Sequence, residues 1–307
     1  MLKNQLFGVE IEMTGISRKK VAFIVAEILG ATPSEPDNSC YKTRIITDQI
    51  NRKWKVMRDG SISPSRNGIN QEPLDNYKVE FVTPPLKYTD IELLQNIIRK
   101  LRENGAKTNS SCGIHIHIDG ANHNPQSLRR LINFMTSRQD LIYEALEIGS
   151  RADYWCQKLN TALLDAMKKD KSLSREKVEQ IWYSTANDGY SGGINYAHYN
   201  KTRYHGINLH SYFSKDTVEF RLFNSTLHAG KIKAYIQFCL AVSAWAITSQ
   251  EKVVFHSMAG YTPEQKVTIM RNILTHRLCL YGDEFKTCRF HLLASLKKSA
   301  SMICNAA

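Results

Sequence analysis

Three short segments of the chain each carry two ionisable side chains separated by one apolar residue. The pairs are Glu10 and Glu12, His115 and His117, and Glu219 and Arg221. This alternation predicts β-strands, and side chains two positions apart on a strand point to the same face. Carboxylates and imidazoles gathered on one face of a sheet are typical of a site for divalent metal ions, and an arginine among them is typical of a phosphate contact.

Each pair has a simpler interpretation when it stands alone. The two glutamates fit an exposed edge strand, and the two histidines fit a half-buried sheet face where both are hydrogen-bonded. The Glu219–Arg221 pair fits a surface salt bridge, which contributes roughly 0–1 kcal/mol. Glu80, just before Val-Thr-Pro-Pro in another predicted strand, extends the set. Because burying all of these charges without partners would be prohibitively unfavourable, we interpret the combination as a functional site.

Composition and charge limit the classes of protein to which the chain can belong. The 307 residues are 42% hydrophobic and 23% charged, which is typical of a globular chain with a core. That length allows one large domain or two ordinary ones. The net charge of +12 favours anionic partners, which could be a nucleotide, an acidic polymer, a nucleic acid or a membrane face, and it does not choose among them.

Cysteine usage and apolar stretches predict a cytoplasmic protein. The seven cysteines include no C-x-x-C pair, which argues against a disulfide framework or a zinc knuckle and for a reducing compartment. The N-terminus lacks the apolar region of a signal peptide. The longest apolar stretch, 234–248, is shorter than the roughly 20 residues that span a bilayer, so we expect a buried helix there and no membrane partner.

The elements that would position the charged pairs begin with a strand over 7–13. A helix follows, with Ser17 as its N-cap and Gly30 as its stop. Residues 31–50 lack clear periodicity and contain two prolines, which predicts a loop or a local insertion. Further strands are predicted over 54–58 and 77–83.

The rest of the chain mixes helices and strands. Thr89 and Glu92 predict a capping box for a helix that ends near residue 105, and Asn124 opens a helix that reaches about Gly149. The other predicted elements are the histidine strand over 113–119, lysine-rich helix over 151–183, a Gly- and Tyr-rich loop over 185–204, a hairpin with strands over 206–210 and 217–224, a buried helix over 229–250, a helix capped by Thr262 and Gln265, and a helical tail. This pattern predicts an α+β fold with a largely antiparallel sheet.

Five of these segments, in this order, resemble the amidoligase branch of the carboxylate–amine ligase superfamily. Glutamine synthetase and glutamate–cysteine ligase are its best-known members. The family pattern reads G-x-E-x-E, W-x-V-x-x-D-G-S, E-x-x-x-P-P-L, C-G-x-H-x-H, and N-L with T-x-E-F-R-x-F. The matching segments are 8–12, 54–61, 80–86, 112–117, and 208–209 with 217–223. Each part is short, but the ordered set is specific and spans roughly 7–227.

The resemblance implies a fold and a reaction. The fold is similar to the glutamine synthetase catalytic domain, with a curved antiparallel sheet that forms a funnel for MgATP and substrate. It would be one amidoligase-like catalytic domain over 1–307, with insertions near 31–50 and 185–204 and a helical C-terminal part over 229–307. A substrate carboxylate would attack the γ-phosphate of ATP, and an amine would then displace phosphate from the acyl phosphate to form an amide or isopeptide bond.

The resemblance also implies a metal site and substrates. Mg²⁺ is the expected metal, with Mn²⁺ as an alternative. Glu12 and Glu80 would hold one ion, and a second ion would be held by Glu10, His115 and Glu219. The expected partners are ATP, a carboxylate substrate and an amine substrate, drawn from peptides, proteins or cell-wall material. The oligomeric state is left open.

Further residues would handle the phosphate and the substrates. His117 and Arg221 would contact the transferring phosphate, and Asp59 and Asn208 match motif positions that we assign loosely to the amine or the carboxylate. Glutamine synthetase carries an arginine where this chain has Thr217. That phosphate contact would have to come from another basic residue or be absent, and the candidates are Arg203, Arg58 and Lys55. A nucleophilic role for Cys112 is disfavoured, because an acyl phosphate makes it unnecessary.

Two other classes of function stay open at this point. A metal-dependent hydrolase could use the same histidine and glutamate cluster on water and would need no ATP. A nucleic-acid-binding protein could use the sheet as a scaffold and contact phosphates with a basic cluster. That cluster consists of Lys168, Lys169, Lys171, Arg175 and Lys177. The absence of a nucleic-acid-binding motif and the concentration of acidic residues count against it.

Overall fold

A computed structural model describes residues 1–66, 72–169, 172–186, 193–251 and 258–304. The chain divides into two compact units. We call Leu6–Ile116 with Phe223–Lys233 the N-terminal unit, and Met1–Gln5 with His117–Leu222 and Ala234–Ala307 the C-terminal unit. The single catalytic domain over 1–307 stays a prediction.

The described residues of the N-terminal unit form antiparallel strands and helices. Its elements are β1 (Phe7–Met13), α1 (Arg18–Leu29), β2 (Arg44–Thr47), β3 (Lys53–Met57), β4 (Val79–Val82), α2 (Ile91–Glu103) and the first four residues of β5 (Gly113–Asp119). The strands lie in the order β2-β3-β4-β1-β5. The pairs β2–β3, β3–β4 and β1–β4 are antiparallel.

The apolar residues of these strands form one face of the sheet and the core beneath it. Val9 and Ile11 of β1 alternate with the glutamates and are buried, as are Trp54 of β3 and Phe81 of β4. The rings of Trp54 and Phe81 stack with centroids 6.0 Å apart, and the indole Nε1 donates a hydrogen bond to Asp48. Because one face is committed to this core, the alternate positions that carry the glutamates must lie on the other face.

The C-terminal unit is mostly helical. Its elements are the end of β5, α3 (Pro125–Ala145), α4 (Thr161–Lys169), α5 (Arg175–Thr185), β6 (Ile207–Asn208), α6 (His210–Lys215), most of β7 (Thr217–Asn224), most of α7 (Ala229–Thr248), α8 (Pro263–Asn272) and α9 (Lys286–Cys304). β7 lies between β5 and β6 and pairs with β6 in antiparallel register. Among the described residues, no helix has both the length and the apolar content that crossing a bilayer requires.

The predicted α+β class is confirmed, and the bounds of β1 and β5 agree with the predicted strands. The capping of α1 is also confirmed. Ser17 accepts a hydrogen bond from the Lys20 amide, and Gly30 ends the helix with a φ of 60°, a conformation that glycine adopts at little cost. The further likeness to glutamine synthetase, with its curved sheet, stays a prediction.

Several local predictions are wrong. Thr89 and Glu92 do not form the capping box of α2, because a 3₁₀ turn over Tyr88–Asp90 precedes the helix and the Asp90 carboxylate accepts the Lys87 amide instead. The predicted loop over 31–50 contains β2, which pairs with β3. Its four residues are too few for periodicity to reveal, so pairing with a distant strand decides its structure.

Other bounds differ in the helical part of the chain. The helix from Asn124 ends at Ala145, and the predicted helical stretch over 151–183 is divided into α4 and α5. The two strands predicted as a hairpin do pair, but the helix α6 connects them. Part of the predicted 185–204 loop, 187–192, lies outside the described residues.

Candidate active site

Two glutamates on neighbouring strands face each other in the N-terminal unit. The antiparallel register of β1 and β4 places Glu12 directly opposite Glu80. Residues opposite one another in such a pair have Cβ atoms about 5 Å apart, and their side chains point to the same face. Glu12 is only 4% exposed. Because two nearby carboxylates repel each other, this pairing is typical of a site that binds a cation.

His115 of β5 joins the two glutamates. Its Nε2 atom lies 3.8 Å from Glu12 Oε1, and its Nδ1 atom lies 3.0 Å from Glu10 Oε2. The imidazole is 5% exposed. We call Glu10, Glu12, Glu80 and His115 the acidic cluster. The structure thus brings together Glu12 and Glu80, which were predicted to share a metal ion, and His115 lies with them as well as with Glu10. That they bind a metal ion stays a prediction.

The carboxylate of Glu12 is held in place by backbone groups far away in sequence. Its Oε2 atom accepts a hydrogen bond of 2.6 Å from the Gly113 amide at the start of β5. The Ser225 hydroxyl donates to the Glu12 carbonyl, and the Ser225 amide donates to the Cys112 carbonyl. Sequence reasoning missed Gly113, because a backbone donor has no side-chain signature, and it missed Ser225, which lies outside the charged pairs.

The donor atoms of the acidic cluster fit a divalent cation. Glu12, Glu80 and His115 each offer a ligand atom, and these atoms lie within 4.8 Å of one another. That separation is slightly more than twice the metal–ligand distance of about 2.1 Å for Mg²⁺. Two carboxylates and one imidazole suit Mg²⁺ or Mn²⁺, and the Glu10 contact on Nδ1 is the kind of interaction that orients a histidine ligand.

Of the predicted site residues on and after β3, only Lys55 is shown to lie on the face of the acidic cluster. Lys55 and Glu10 both lie opposite Val82, so Lys55 is on the face of the acidic cluster, roughly 10 Å from Glu10 across two strand spacings. Arg58 donates instead to the Asp75 carboxylate at 2.8 Å. Asp59 accepts the amide and hydroxyl of Ser61, so its carboxylate closes the turn after β3.

In the C-terminal unit, Glu219 is the centre of a hydrogen-bonded group. Asn208 lies opposite it in the β6–β7 register and donates to Oε2 at 2.6 Å. Arg221 donates from Nη1 to Oε1 at 2.5 Å. Glu219 is 3% exposed, and Arg221 is buried as well. The pair is therefore a buried ion pair rather than the surface salt bridge of the simpler interpretation, and such a pair holds the guanidinium rigidly.

His117 lies beside this group. Its Nε2 atom is 3.9 Å from Glu219 Oε1, and its Nδ1 atom is 2.9 Å from the hydroxyl of Thr217. The Ser211 hydroxyl of α6 lies 2.8 Å from the same Thr217 hydroxyl. The two hydroxyls thus fix the orientation of the imidazole. Ser211 was not predicted as a site residue, since α6 was expected to be a hairpin loop.

A cavity of about 170 Å³ lies against Glu219 and Asn208 in the C-terminal unit. Arg203, which was predicted to contact nucleotide, lines it together with His210 and Lys215. Burial, followed by the charge of Arg203, lowers the pKa of His210 to about 4, so its imidazole is neutral at pH 7. No motif in the sequence pointed to His210 or Lys215.

A family model described as "putative amidoligase enzyme" matches residues 3–243. The chain belongs to the amidoligase family. This membership supports a ligase, and all five motif segments lie inside the matched range. No curated protein matches the chain.

The amidoligase match covers the part of the chain that carries the candidate site and leaves out the C-terminal helices. It contains both of the groups described above, the acidic cluster and the Glu219 group. The helices α8 and α9 lie beyond it. Glu219 belongs to a different unit from Glu10 and His115, so a metal ion shared by these three residues stays a prediction.

Proposed function

We propose that this amidoligase is an ATP- and Mg²⁺-dependent carboxylate–amine ligase that forms an amide or isopeptide bond. The observation that carries the proposal is the acidic cluster, in which Glu12, Glu80 and His115 direct their ligand atoms to one small volume. A simple amide hydrolase would not need this many ligand atoms for a hard divalent cation. Family membership supplies the expectation of a ligation.

Glu12, Glu80 and His115 would hold the metal, with Glu10 orienting His115. When it is bound, the metal supplies positive charge that neutralises phosphate oxygens. The Gly113 amide keeps the Glu12 carboxylate pointing at this position, and the sheet fixes the spacing of Glu12 and Glu80. The role of the chain here is to bind and to orient.

Arg221, His117 and Arg203 are proposed to bind the phosphates of ATP. Arg221 is fixed by Glu219, and His117 is oriented by the hydroxyls of Ser211 and Thr217, so neither would need to reorganise when charge develops on the transferring phosphate. Arg203 and Lys215 add positive charge to the neighbouring cavity. These contacts would take the place of the arginine that is absent at Thr217.

The proposed reaction has two steps that balance. A carboxylate oxygen of the substrate attacks the γ-phosphorus of ATP, the bond to the β–γ bridging oxygen breaks, and ADP leaves with its electron pair. The amine substrate then attacks the acyl carbon, inorganic phosphate leaves, and the amine nitrogen loses a proton. The products are an amide, ADP and phosphate. Asp59 and Asn208 remain the loosely assigned candidates for handling the substrates.

A binding experiment tests the metal and nucleotide part of this proposal. The melting temperature is measured with and without Mg²⁺ and a non-hydrolysable ATP analogue, for the wild type, Glu12→Gln and Glu27→Gln. Glutamine at position 12 can still accept the Gly113 amide, so the variant should fold. Glu27 is an exposed carboxylate on α1 and serves as the matched control. At about a hundredfold excess over Kd, binding should stabilise the wild type by roughly 2.7 kcal/mol.

We expect a Mg²⁺-dependent stabilisation in the wild type and in Glu27→Gln that is lost in Glu12→Gln. A folded wild type that no nucleotide stabilises would contradict the proposal. Ligation is then tested by adding hydroxylamine to the protein with MgATP and pools of carboxylate-containing peptides, because hydroxylamine converts an acyl phosphate into a hydroxamate. Substrate cleavage without ATP would instead favour the metal-dependent hydrolase.

A further inference from the structure

A second and larger cavity lies in the helical part of the C-terminal unit. Its volume is about 380 Å³, within the range of pockets that hold small molecules. It is lined by α3, by α8 and by the π-helical turn over Ile273–Arg277 that follows α8. Single π-helical turns occur frequently at functional sites. Seven of the ten residues that line the cavity lie beyond residue 243, outside the amidoligase match.

Arg138 of α3 brings a poorly compensated charge to the wall of this cavity. Its Nη1 atom is buried and has no hydrogen-bond partner in the described part of the chain. Its guanidinium carbon lies 4.9 Å from the centre of the Phe134 ring. Burial, followed by the charge of Arg277, lowers the pKa of Arg138 to about 10, so the guanidinium is still charged at neutral pH. Arg138 is half-buried, and the charge of Glu251 on the same wall compensates it only in part, so an anion that accepts a hydrogen bond from Nη1 would stabilise it.

The other residues of the wall are partly charged or polar and partly apolar. Arg277 and His276 lie on the π-helical turn, and Arg277 contacts the exposed Glu251 at 3.3 Å. Leu141 and Ile273 are buried apolar residues that also line the cavity. Two arginines beside an apolar wall are suited to a molecule with an anionic group at one end and a hydrocarbon part at the other.

We propose that this cavity binds a small molecule through an anionic group, either a carboxylate or a phosphate, held by Arg138 and Arg277, with an apolar part against Leu141 and Ile273. The ligand's charge would satisfy Arg138. The site is independent of the proposed ligase reaction, because none of the residues assigned to that reaction lines the cavity.

Titration calorimetry with simple probes tests this site. Hexanoate and inorganic phosphate are the anionic probes, and hexanol and hexylammonium are the neutral and cationic controls. The variants are Arg138→Met, which keeps an apolar stem, and Arg271→Met, which removes an exposed arginine of α8 that does not line the cavity. Hexanoate should bind more tightly than hexanol or hexylammonium, and tighter binding of phosphate than of hexanoate would identify the anionic group as phosphate.

We expect Arg138→Met to weaken the binding of the preferred anion roughly tenfold or more, and Arg271→Met to leave it unchanged. Arg138→Met should melt no lower than the wild type without ligand, because it removes a half-buried charge. If it does not fold, Arg277→Met provides the same comparison. Equal binding by wild type and folded variants, or no binding of either anion, would overturn the proposal. The Mg²⁺- and nucleotide-dependent stabilisation should persist in Arg138→Met, which keeps this test separate from that of the ligase.

Discussion

Thr217 differs from the residue found at this position in glutamine synthetase, yet its side chain has a clear hydrogen-bonding role. Glutamine synthetase has an arginine at this position, and the sequence comparison left its replacement open. The hydroxyl of Thr217 lies 2.9 Å from His117 Nδ1 and 2.8 Å from Ser211 Oγ. Thr217 therefore orients the His117 imidazole. The phosphate contact that the arginine makes in glutamine synthetase is proposed to come from Arg221 and Arg203 here.

Replacing Thr217 with valine removes this hydroxyl and conserves the shape of the side chain. We expect the free energy of unfolding to fall by about 1 kcal/mol, because His117 and Ser211 lose a partially buried hydrogen-bond partner. Urea denaturation measures the change. Thr47→Val, at an exposed position of β2, is the matched control and should change stability by less than about 0.5 kcal/mol. Equal effects of the two substitutions would show that the Thr217 hydroxyl does not hold His117.

At the scale of elements, a buried chain of polar side chains connects the N-terminus, α3 and α7. His123, in the segment that follows β5, has Nδ1 3.0 Å from Ser127 Oγ and Nε2 2.9 Å from Ser243 Oγ. The Ser243 hydroxyl donates in turn to Gln5 Oε1. His123 is only 7% exposed, and burial lowers its pKa from 6.5 to about 4. Burial therefore favours the neutral form of the imidazole in the folded protein.

The buried His123 makes the free energy of unfolding depend on pH. The unfolded protein protonates His123 at about pH 6.5 and the folded protein only at about pH 4, so the contribution is complete above pH 6.5 and is lost as the pH falls towards 4. Its size is about 3 kcal/mol. We expect His123→Gln, which keeps hydrogen-bonding capacity but cannot titrate, to flatten this part of the profile of unfolding free energy. His228→Gln, at an exposed position, should leave the profile as in the wild type, and an unchanged profile in both would contradict the assignment.

At the scale of the whole molecule, the net charge of +12 does not by itself identify an anionic partner. The predicted nucleic-acid-binding cluster is only partly available for such contacts. Arg175 pairs with Asp216 at 3.0 Å and lies over the ring of Tyr212, whereas Lys168 and Lys169 are exposed at the end of α4. Lys171 lies outside the described residues. The basic surface is thus better suited to non-specific attraction than to a built nucleic-acid site.

The salt dependence of DNA binding separates these possibilities. We expect a DNA duplex to bind weakly at about 50 mM salt and not measurably at about 200 mM, because non-specific binding depends on the release of counterions. Fluorescence anisotropy measures this for the wild type, for Lys168→Gln with Lys169→Gln, and for Lys297→Gln with Lys298→Gln as an exposed control pair. Tight binding at the higher salt that only the first pair of substitutions abolishes would favour the nucleic-acid-binding alternative.

Local rules were sufficient where the determinants are close together in the chain. The period-two alternation in FGVEIEM and GIHIHID predicted both strands with their bounds, and Ser17 and Gly30 predicted the ends of α1. Local rules were insufficient for β2, which becomes a strand by pairing with β3. They also failed for α6, which lies where a hairpin loop was expected. Short elements have too few residues for a period to be recognised, so long-range pairing decides them.

The sequence was enough to recognise the family, the residue types of the candidate site and the faces on which Glu10, Glu12 and Glu80 lie, because alternation along a strand and ordered motifs are local properties. The three-dimensional fold was needed to show that Gly113 anchors Glu12, that Ser211 and Thr217 hold His117, and that Arg138 borders a cavity. These depend on strand register and helix packing between segments far apart in the chain, and neither backbone donors nor empty volume can be recognised from residue types alone.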